Sequence, residues 1–307
     1  MDRRNFDGFL VIDKPEGITS YKVVQIVRHE LNIKKAGHLG TLDPMATGVL
    51  PLALGRATRL VKFLMGGEKI YRGTIRLGFS TDTYDRLGQP SSASLKPSFS
   101  QRQFDQVIDS MKGNQLQSPP PFSAKKIAGQ RSYKLARKGI KVELSPQNIC
   151  IYKFLVWTKN PETIEFEIHC SPGTYIRSIA HELGQKLGCG GHLSRLQRTV
   201  SGKFSLKMAF KLDCLTKFKN WQNYLLPINF MLREIPEVCI SKQLEEFFLH
   251  GRSLEILASS LSQSPSILIR VLSDSGYFLG LAEKGTPIKS VDNQNQLTIP
   301  LLPKIVM

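Results

Sequence analysis

Asp43 is the side chain from which a chemistry can be read most directly. It stands in the run Gly37-His38-Leu39-Gly40-Thr41-Leu42-Asp43-Pro44-Met45-Ala46-Thr47-Gly48-Val49-Leu50-Pro51, a single carboxylate framed by glycines, prolines and threonines with apolar residues on both sides. No Gly-Lys-Ser/Thr follows, so the run is not a phosphate-binding loop. No second carboxylate or histidine pair adjoins it in the tight spacing of a metal cage. A backbone this rich in glycine and proline fixes a short acid at a cleft. A carboxylate that attacks an electrophilic carbon needs that placement. Taken alone, an Asp-Pro turn with a solvated acid is the ordinary reading; the remainder of the chain decides between the two.

Several elements must position that acid. Residues 9–12 form an apolar run that predicts a buried strand, closed by turn residues around Pro15 and Gly17. Thr19 or Ser20 then caps a helix that continues to Leu31, with Val24, Val27 and Leu31 at helical spacing. Residues 49–54 read as a core element, and 70–79 alternate as a strand carrying Tyr71. Residues 86–101, rich in Ser, Pro and Gly, predict a mobile surface connection, followed by a helix over 104–111. Residues 163–169 alternate as a further strand. Residues 175–187 form a helix whose Ile176, Ile179, Ala180, Leu183 and Leu187 make one apolar stripe, with Gly188 as its cap. Arg177 falls off that stripe in the first turn and can face a cleft.

Charge separates the chain into two parts. It has 307 residues, 42 Lys plus Arg against 25 Asp plus Glu, and a formal charge of +17. From Pro236 onward basic and acidic residues nearly cancel, six against seven, so the excess lies in the first 235 residues. That predicts a domain over 1–235 that meets a polyanion by neutralising phosphates, and a smaller mostly-β domain over 236–307, where strands are expected at 267–272, 277–282 and 296–302. The length supports both cores. No run of about 18 apolar residues and no basic amphipathic helix points to a membrane. The N-terminus lacks a signal-peptide core, which points to the cytoplasm. Cys150, Cys170, Cys189, Cys214 and Cys239 are odd in number and scattered, as reduced thiols are. Cys189 and His192 lack the further closely spaced ligands that zinc requires.

Pro119-Pro120-Pro121 opens a segment of different character. Between Pro120 and Val142 stand Lys125, Lys126, Arg131, Lys134, Arg137, Lys138 and Lys141, with no acid, and Phe122 and Tyr133 lie among them. A charge run is often only a solvated face. Aromatics among cations favour RNA, whose bases stack on rings while its phosphates meet the charges.

Five segments in order, Gly8 to Ser20, the Asp43 run, Lys69-Ile70-Tyr71-Arg72-Gly73, Thr81-Asp82-Thr83-Tyr84-Asp85 and Gly173-Thr174-Tyr175-Ile176-Arg177-Ser178, resemble the TruB-type family of pseudouridine synthases. These enzymes isomerise the T-loop uridine, U55, of tRNA. The resemblance runs from about Phe6 to the C-terminus. It implies an α+β fold: a mixed, mostly antiparallel central sheet with flanking helices, a basic insertion over about 119–143 that contacts the tRNA arm, and a C-terminal module similar to the RNA-binding PUA domain. It implies Asp43 as nucleophile, Arg177 as the cation that orients it and keeps it charged, and Tyr71 as the ring that stacks on the target uracil. Tyr175 and Leu196 would line the pocket, His38 would contact the target nucleotide, and Asp85 would be a second acid in the pocket network. Lys125, Lys126, Arg131, Lys134, Arg137 and Arg198 would contact RNA.

The reaction breaks the N1–C1′ bond, turns the uracil and rejoins it through C5. It is redox-neutral, so no cofactor and no metal are implied, and the stand-alone bacterial form needs no guide RNA and acts as a monomer. Asp43 could attack C1′, attack C6, or remove the C2′ proton. The uridine must first be everted, at a cost of a few kcal/mol that pocket contacts offset. The chain departs from the family at Leu39, usually threonine, and at Gln197, usually arginine. Three rivals remain: a non-catalytic RNA binder, which gives no reason to keep Asp43 with Arg177; a guide-dependent pseudouridylase; and a hydrolase pairing Asp43 with Asp85.

Overall fold

The computed structural model describes residues 6–122, 126–127, 130–131, 144–215, 221–261, 266–289 and 297–307. Phe9-Leu10-Val11-Ile12 are buried on both sides of the first strand, β1 (Gly8–Lys14), as an uninterrupted apolar run requires. This strand lies antiparallel to β3 (Thr47–Leu54), in register from Gly8 opposite Leu54 to Lys14 opposite Gly48. Around them a ten-stranded sheet adds β2 (Ala36–His38), β4 (Lys69–Leu77), β5 (Gly113–Gln117), β8 (Gln147–Asn160), β9 (Thr163–Cys170), β10 (Gly191–Ser201), β11 (Phe204–Ser205) and β12 (Phe210–Lys211). The order is β12-β1-β3-β10-β4-β9-β8-β5, with β2 beside β3 and β11 beside β10. Only β1–β12 and β3–β10 run parallel among its described pairs, so the sheet is mixed and mostly antiparallel.

One face of the sheet receives three helices. Ser20–Glu30, capped by Thr19, buries Val23, Val24 and Val27; Gln101–Ser110, closed by a Ser100/Gln103 capping box, buries Phe104 and Ile108; Ile176–Lys186 buries Ile179, Ala180 and Leu183. All join Leu10, Ile12, Ile75, Phe166 and Ile168 in one core. The strand carrying Tyr71 ends at Leu77, and the alternation over 163–169 is a strand as expected. Residues 86–101 are not a free connection: Ser91 N–H donates to Ser80 O at 2.8 Å and Leu95 N–H to Gly78 O at 2.7 Å, laying the segment back along the end of β4. The 14-residue β8 escaped the sequence pattern because its alternation breaks. Register shifts at Ile151/Lys153 and Thr158/Asn160 put Ile151 and Phe154 inside while Tyr152 and Trp157 face out.

The second face of β1 and β3 packs on Ala57, Leu60, Phe204, Ile228, Met231 and Leu232, and the C-terminal module joins that cluster through Leu281 and Ile305. Its sheet runs in the order β13-β15-β16-β18-β14, with β17 on β18, where β13 is Glu237–Ile240, β14 Leu254–Leu257, β15 Leu268–Ser273, β16 Phe278–Lys284, β17 Ile288–Lys289 and β18 Leu297–Val306. The helix Lys242–Leu249 buries Phe248 in that module's own core. Leu281 and Ile305 cluster with Phe9, Val11, Val49 and Ala53 across the junction. The backbone of the basic insertion contributes one small hairpin, β6 (Lys126–Ile127) paired with β7 (Gln130–Arg131). No helix among the described residues is long and apolar enough to cross a membrane.

Candidate active site

The Asp43 loop is held almost entirely through its main chain. Ser20, buried at the start of the first helix, accepts from Leu42 N–H at 2.8 Å and donates to Leu42 O at 3.0 Å. Gly17 N–H donates to Pro44 O at 2.9 Å, and Ala46 N–H closes the turn onto Asp43 O at 3.0 Å. Two buried cations complete the mounting. Lys14 Nζ donates to Pro15 O at 2.8 Å and Pro44 O at 3.2 Å. Arg198 donates from Nε to Val49 O at 2.8 Å, from Nη1 to Thr41 O at 3.4 Å and from Nη2 to Gly40 O at 3.1 Å, so one guanidinium ties both ends of the loop together. Glycine at 48 is dictated by the close approach of Arg198's main chain, which pairs with it across the sheet. Its φ is +99°, and a Cβ there would lie 2.3 Å from Arg198 O.

Arg177 approaches the loop from the first turn of its helix. Its Nε donates to Asp43 Oδ2 at 2.8 Å and its Nη2 to Asp43 Oδ1 at 3.0 Å, a bidentate pair. The same guanidinium donates from Nη1 to Thr83 O at 3.1 Å and from Nη2 to Phe122 O at 3.0 Å, and its Nη1 lies 3.7 Å from Asp85 Oδ2. Its donors therefore fan out to four groups in one plane, which an ammonium could not do. The Arg177 side chain is 6% exposed whereas that of Asp43 is 32% exposed. A buried cation thus presents a partly exposed carboxylate, whose oxygens retain acceptor capacity beyond the two bonds to Arg177.

Tyr71 stands on β4 opposite Arg198 of β10, 7% exposed. Burial pushes its phenol above the ordinary 10.0, with the charge of Asp43 adding to that and Arg198, through its charge and a hydrogen bond, opposing it. The phenol therefore stays protonated near neutral pH, and its O–H can donate. Asp85 is also buried. Its Oδ1 accepts from Thr83 Oγ1 at 2.8 Å and Leu87 N–H at 2.9 Å, while its second oxygen faces Arg177. Tyr175 forms the N-cap of the Arg177 helix and is clamped by the buried Gln117, which accepts from Tyr175 N–H at 2.8 Å and donates to Tyr175 O at 3.1 Å. Leu196 is buried in the core beside Tyr71, and His38 sits on β2 opposite Leu52.

Asp43, Arg177, Tyr71 and Asp85 thus converge, with Tyr175 two positions before Arg177, at the N-cap of its helix. Arg198 requires a correction. It is 1% exposed and committed to the loop carbonyls, so it supports the site from beneath and presents no charge to a phosphate. Lys125, Lys134 and Arg137 lie outside the described residues, and Lys126 and Arg131 are described by backbone alone. Leu39, one of the two family departures, is buried with Phe9 and Val11, where an apolar side chain fits.

Sequence reasoning missed Lys14, Ser20 and Gln117. Lys14 is fully buried, and burial lowers it from 10.5 to about 8 against the raising influence of Asp43 and Glu16. A lysine at the end of an apolar strand, directly before a Pro-Glu-Gly turn, was the available signal. Gln117 opens the Gln-x-Pro-Pro run that the family resemblance matches, but nothing local gave its role, because its partner is backbone 58 residues away.

Comparison with known proteins gives the family to which this chain is similar. Residues 28–176 match the model of the TruB family pseudouridylate synthase N-terminal domain, and 177–234 that of the tRNA pseudouridylate synthase B C-terminal domain. The tRNA pseudouridine synthase B of Solibacter usitatus is 41% identical over 284 residues, covering 92% of this chain and 97% of that protein. Its Aquifex aeolicus counterpart is 40% identical over 279 residues, 90% of this chain and 95% of that protein. Among solved structures, a chain of an H/ACA ribonucleoprotein bound to a substrate RNA containing 2′-deoxyuridine superposes with a TM-score of 0.70 at 23% identity, over 97% of this chain and 84% of its own, a likeness of fold.

Proposed function

The chain belongs to the TruB family of pseudouridylate synthases, and we propose that it isomerises the T-loop uridine U55 of tRNA to pseudouridine, with Asp43 as nucleophile. The observation that carries this reading is the bidentate Arg177–Asp43 pair, in which a buried guanidinium fixes the plane of an accessible carboxylate. The carboxylate is held by a loop that cannot swing, so little reorganisation is needed when the everted ribose arrives. Tyr71 offers its ring to the freed uracil, and its proton-bearing oxygen can donate to the base. Arg177 keeps Asp43 ionised and oriented before attack, and stabilises the carboxylate again when the bond to Asp43 breaks on product formation.

In this proposal the partner is the T-stem-loop of tRNA, met by the basic first domain, and the C-terminal module acts as a PUA-like RNA-binding unit. The enzyme works as a cytoplasmic monomer, without cofactor, metal or guide RNA. The nearly neutral charge of the module assigns most electrostatic attraction to the first domain. The test is carbodiimide primer-extension mapping on an unmodified T-stem-loop transcript with purified protein and no other RNA. A stop at the T-loop uridine is expected. Unchanged uridine at saturating protein overturns the assignment, and conversion only after a guide RNA is added would place the chain with the ribonucleoprotein enzymes.

A further inference from the structure

The Arg177 helix carries a second group that faces the same turn. His181, one helical turn after Arg177, lies flat on the ring of Tyr84, with ring centroids 3.8 Å apart and planes 6° from parallel. Tyr84 has a φ of +63°. A left-handed backbone is strained for a residue with a Cβ, so the surrounding structure must hold it there. The main-chain holds are Tyr84 N–H to Thr81 O at 3.2 Å and Leu193 N–H to Tyr84 O at 3.0 Å.

The neighbours of Tyr84 in sequence are the groups that complete the Arg177 cradle. Thr83 supplies the carbonyl that accepts from Nη1 at 3.1 Å, and Asp85 the carboxylate 3.7 Å from the same nitrogen. Returning Tyr84 to an ordinary φ would rotate the peptide between them and carry both acceptors away from the guanidinium. The ring stack fixes the side chain that such a rotation would have to displace.

We infer that the Tyr84–His181 stack is a positioning device for the isomerisation: it braces the Thr83–Asp85 turn, and through it the plane in which Arg177 meets Asp43. This rests on the catalytic reading of that pair given above. Neither ring contributes charge at neutral pH. Burial raises the Tyr84 phenol and lowers the His181 imidazole, whose Nδ1 is buried without a hydrogen-bond partner among the described residues. The brace is therefore a matter of flat aromatic contact, and a phenylalanine should serve at either position.

The experiment measures tritium release from C5-labelled uridine in a T-stem-loop transcript, giving kcat and KM for the full chain and its variants. Tyr84→Ala and His181→Ala should each lower kcat about tenfold with KM within about twofold, as expected for a misplaced catalytic group. Tyr84→Phe and His181→Phe should stay within about twofold of wild type, and the double alanine variant should be no slower than the slower single, since both remove one contact. Tyr84→Gly guards against misfolding, because glycine adopts the left-handed conformation freely while lacking the ring; it should show the same loss of kcat. Wild-type kcat in the alanine and glycine variants, a loss confined to KM, or phenylalanine variants as slow as alanine would each overturn the brace. A wild-type protein that releases no tritium overturns the assigned reaction and this inference with it.

Discussion

Two buried arginines in this molecule look alike in burial and differ in use. Arg177 and Arg270 have side chains 6% and 7% exposed; Arg177 meets the carboxylates of Asp43 and Asp85 and Arg270 that of Glu237, and each donates to two backbone or amide oxygens besides. Arg270 donates from Nε to Ile235 O at 2.7 Å, reaches Glu237 from Nη2 at 2.6 Å, and bonds the side-chain oxygen of Asn229. It stitches residues 229–237 to the C-terminal sheet. Its acid is half-exposed on an ordinary strand and takes a contact from one nitrogen. Asp43 is gripped by two nitrogens, on a loop whose carbonyls and amides are themselves tied to Ser20, Gly17, Lys14 and Arg198. A buried Arg–carboxylate pair is thus no sign of catalysis in itself. The signature is an acid fixed in plane and position that stays partly exposed and keeps acceptor capacity.

The sharpest break in the comparison is expected at the acids. Asp43→Asn should reduce single-turnover conversion by at least about 10³-fold while tRNA affinity, read by filter binding, stays within a few-fold. Glu237→Gln should change neither. Equal loss of rate and affinity in Asp43→Asn would assign the residue to structure. Next come the cations. Arg177→Lys keeps charge and loses the fork, and should cost about 10²-fold in kcat with a much smaller change in KM. Arg270→Lys should leave kcat per folded molecule unchanged and lower stability by about 1–3 kcal/mol in urea titration. A kcat deficit in the Arg270 variant would erase the distinction drawn here.

Arg198→Met tests the loop mounting. Three carbonyls lose their donor, and we expect destabilisation of about 2–4 kcal/mol by urea titration. Charge reversal there should not flatten the salt dependence of tRNA binding, because the residue faces no phosphate.

The smallest expected effect belongs to Lys14. Its folded value of about 8 lies below the ordinary 10.5, so between those values the unfolded chain holds more protons. Its contribution to stability therefore rises with pH across that window and is lost as pH falls through about 8. In urea titrations at about pH 7 and pH 10, wild type should gain relative to Lys14→Met at the higher pH. A difference that is flat with pH would contradict the burial of that ammonium.

Much of this was legible in one dimension. The apolar run at 9–12 announced a buried strand and the one at 49–54 a core element, which the fold shows to be a strand, and the stripe from Ile176 to Leu187 announced a helix with Arg177 displaced from it. The Gly-Pro-rich frame of Asp43 announced a rigid loop. The strand at 147–160 was obscured by its bulges, and the tethering of residues 86–101 because most of its bonds end on main-chain atoms of the preceding turn, which leave no pattern in the sequence.

Local composition and period thus determined the main elements, the basic character of the first domain, and the residue types available for catalysis, because those properties act over a few neighbouring positions. Tertiary structure alone decided that Arg177 meets Asp43 across 134 residues, that Arg198 turns inward, and that Lys14 is buried. The reason is that donors and acceptors in a folded interior are matched by distance and angle. A sequence records that an arginine is present; only the packed chain selects the oxygens its nitrogens can reach.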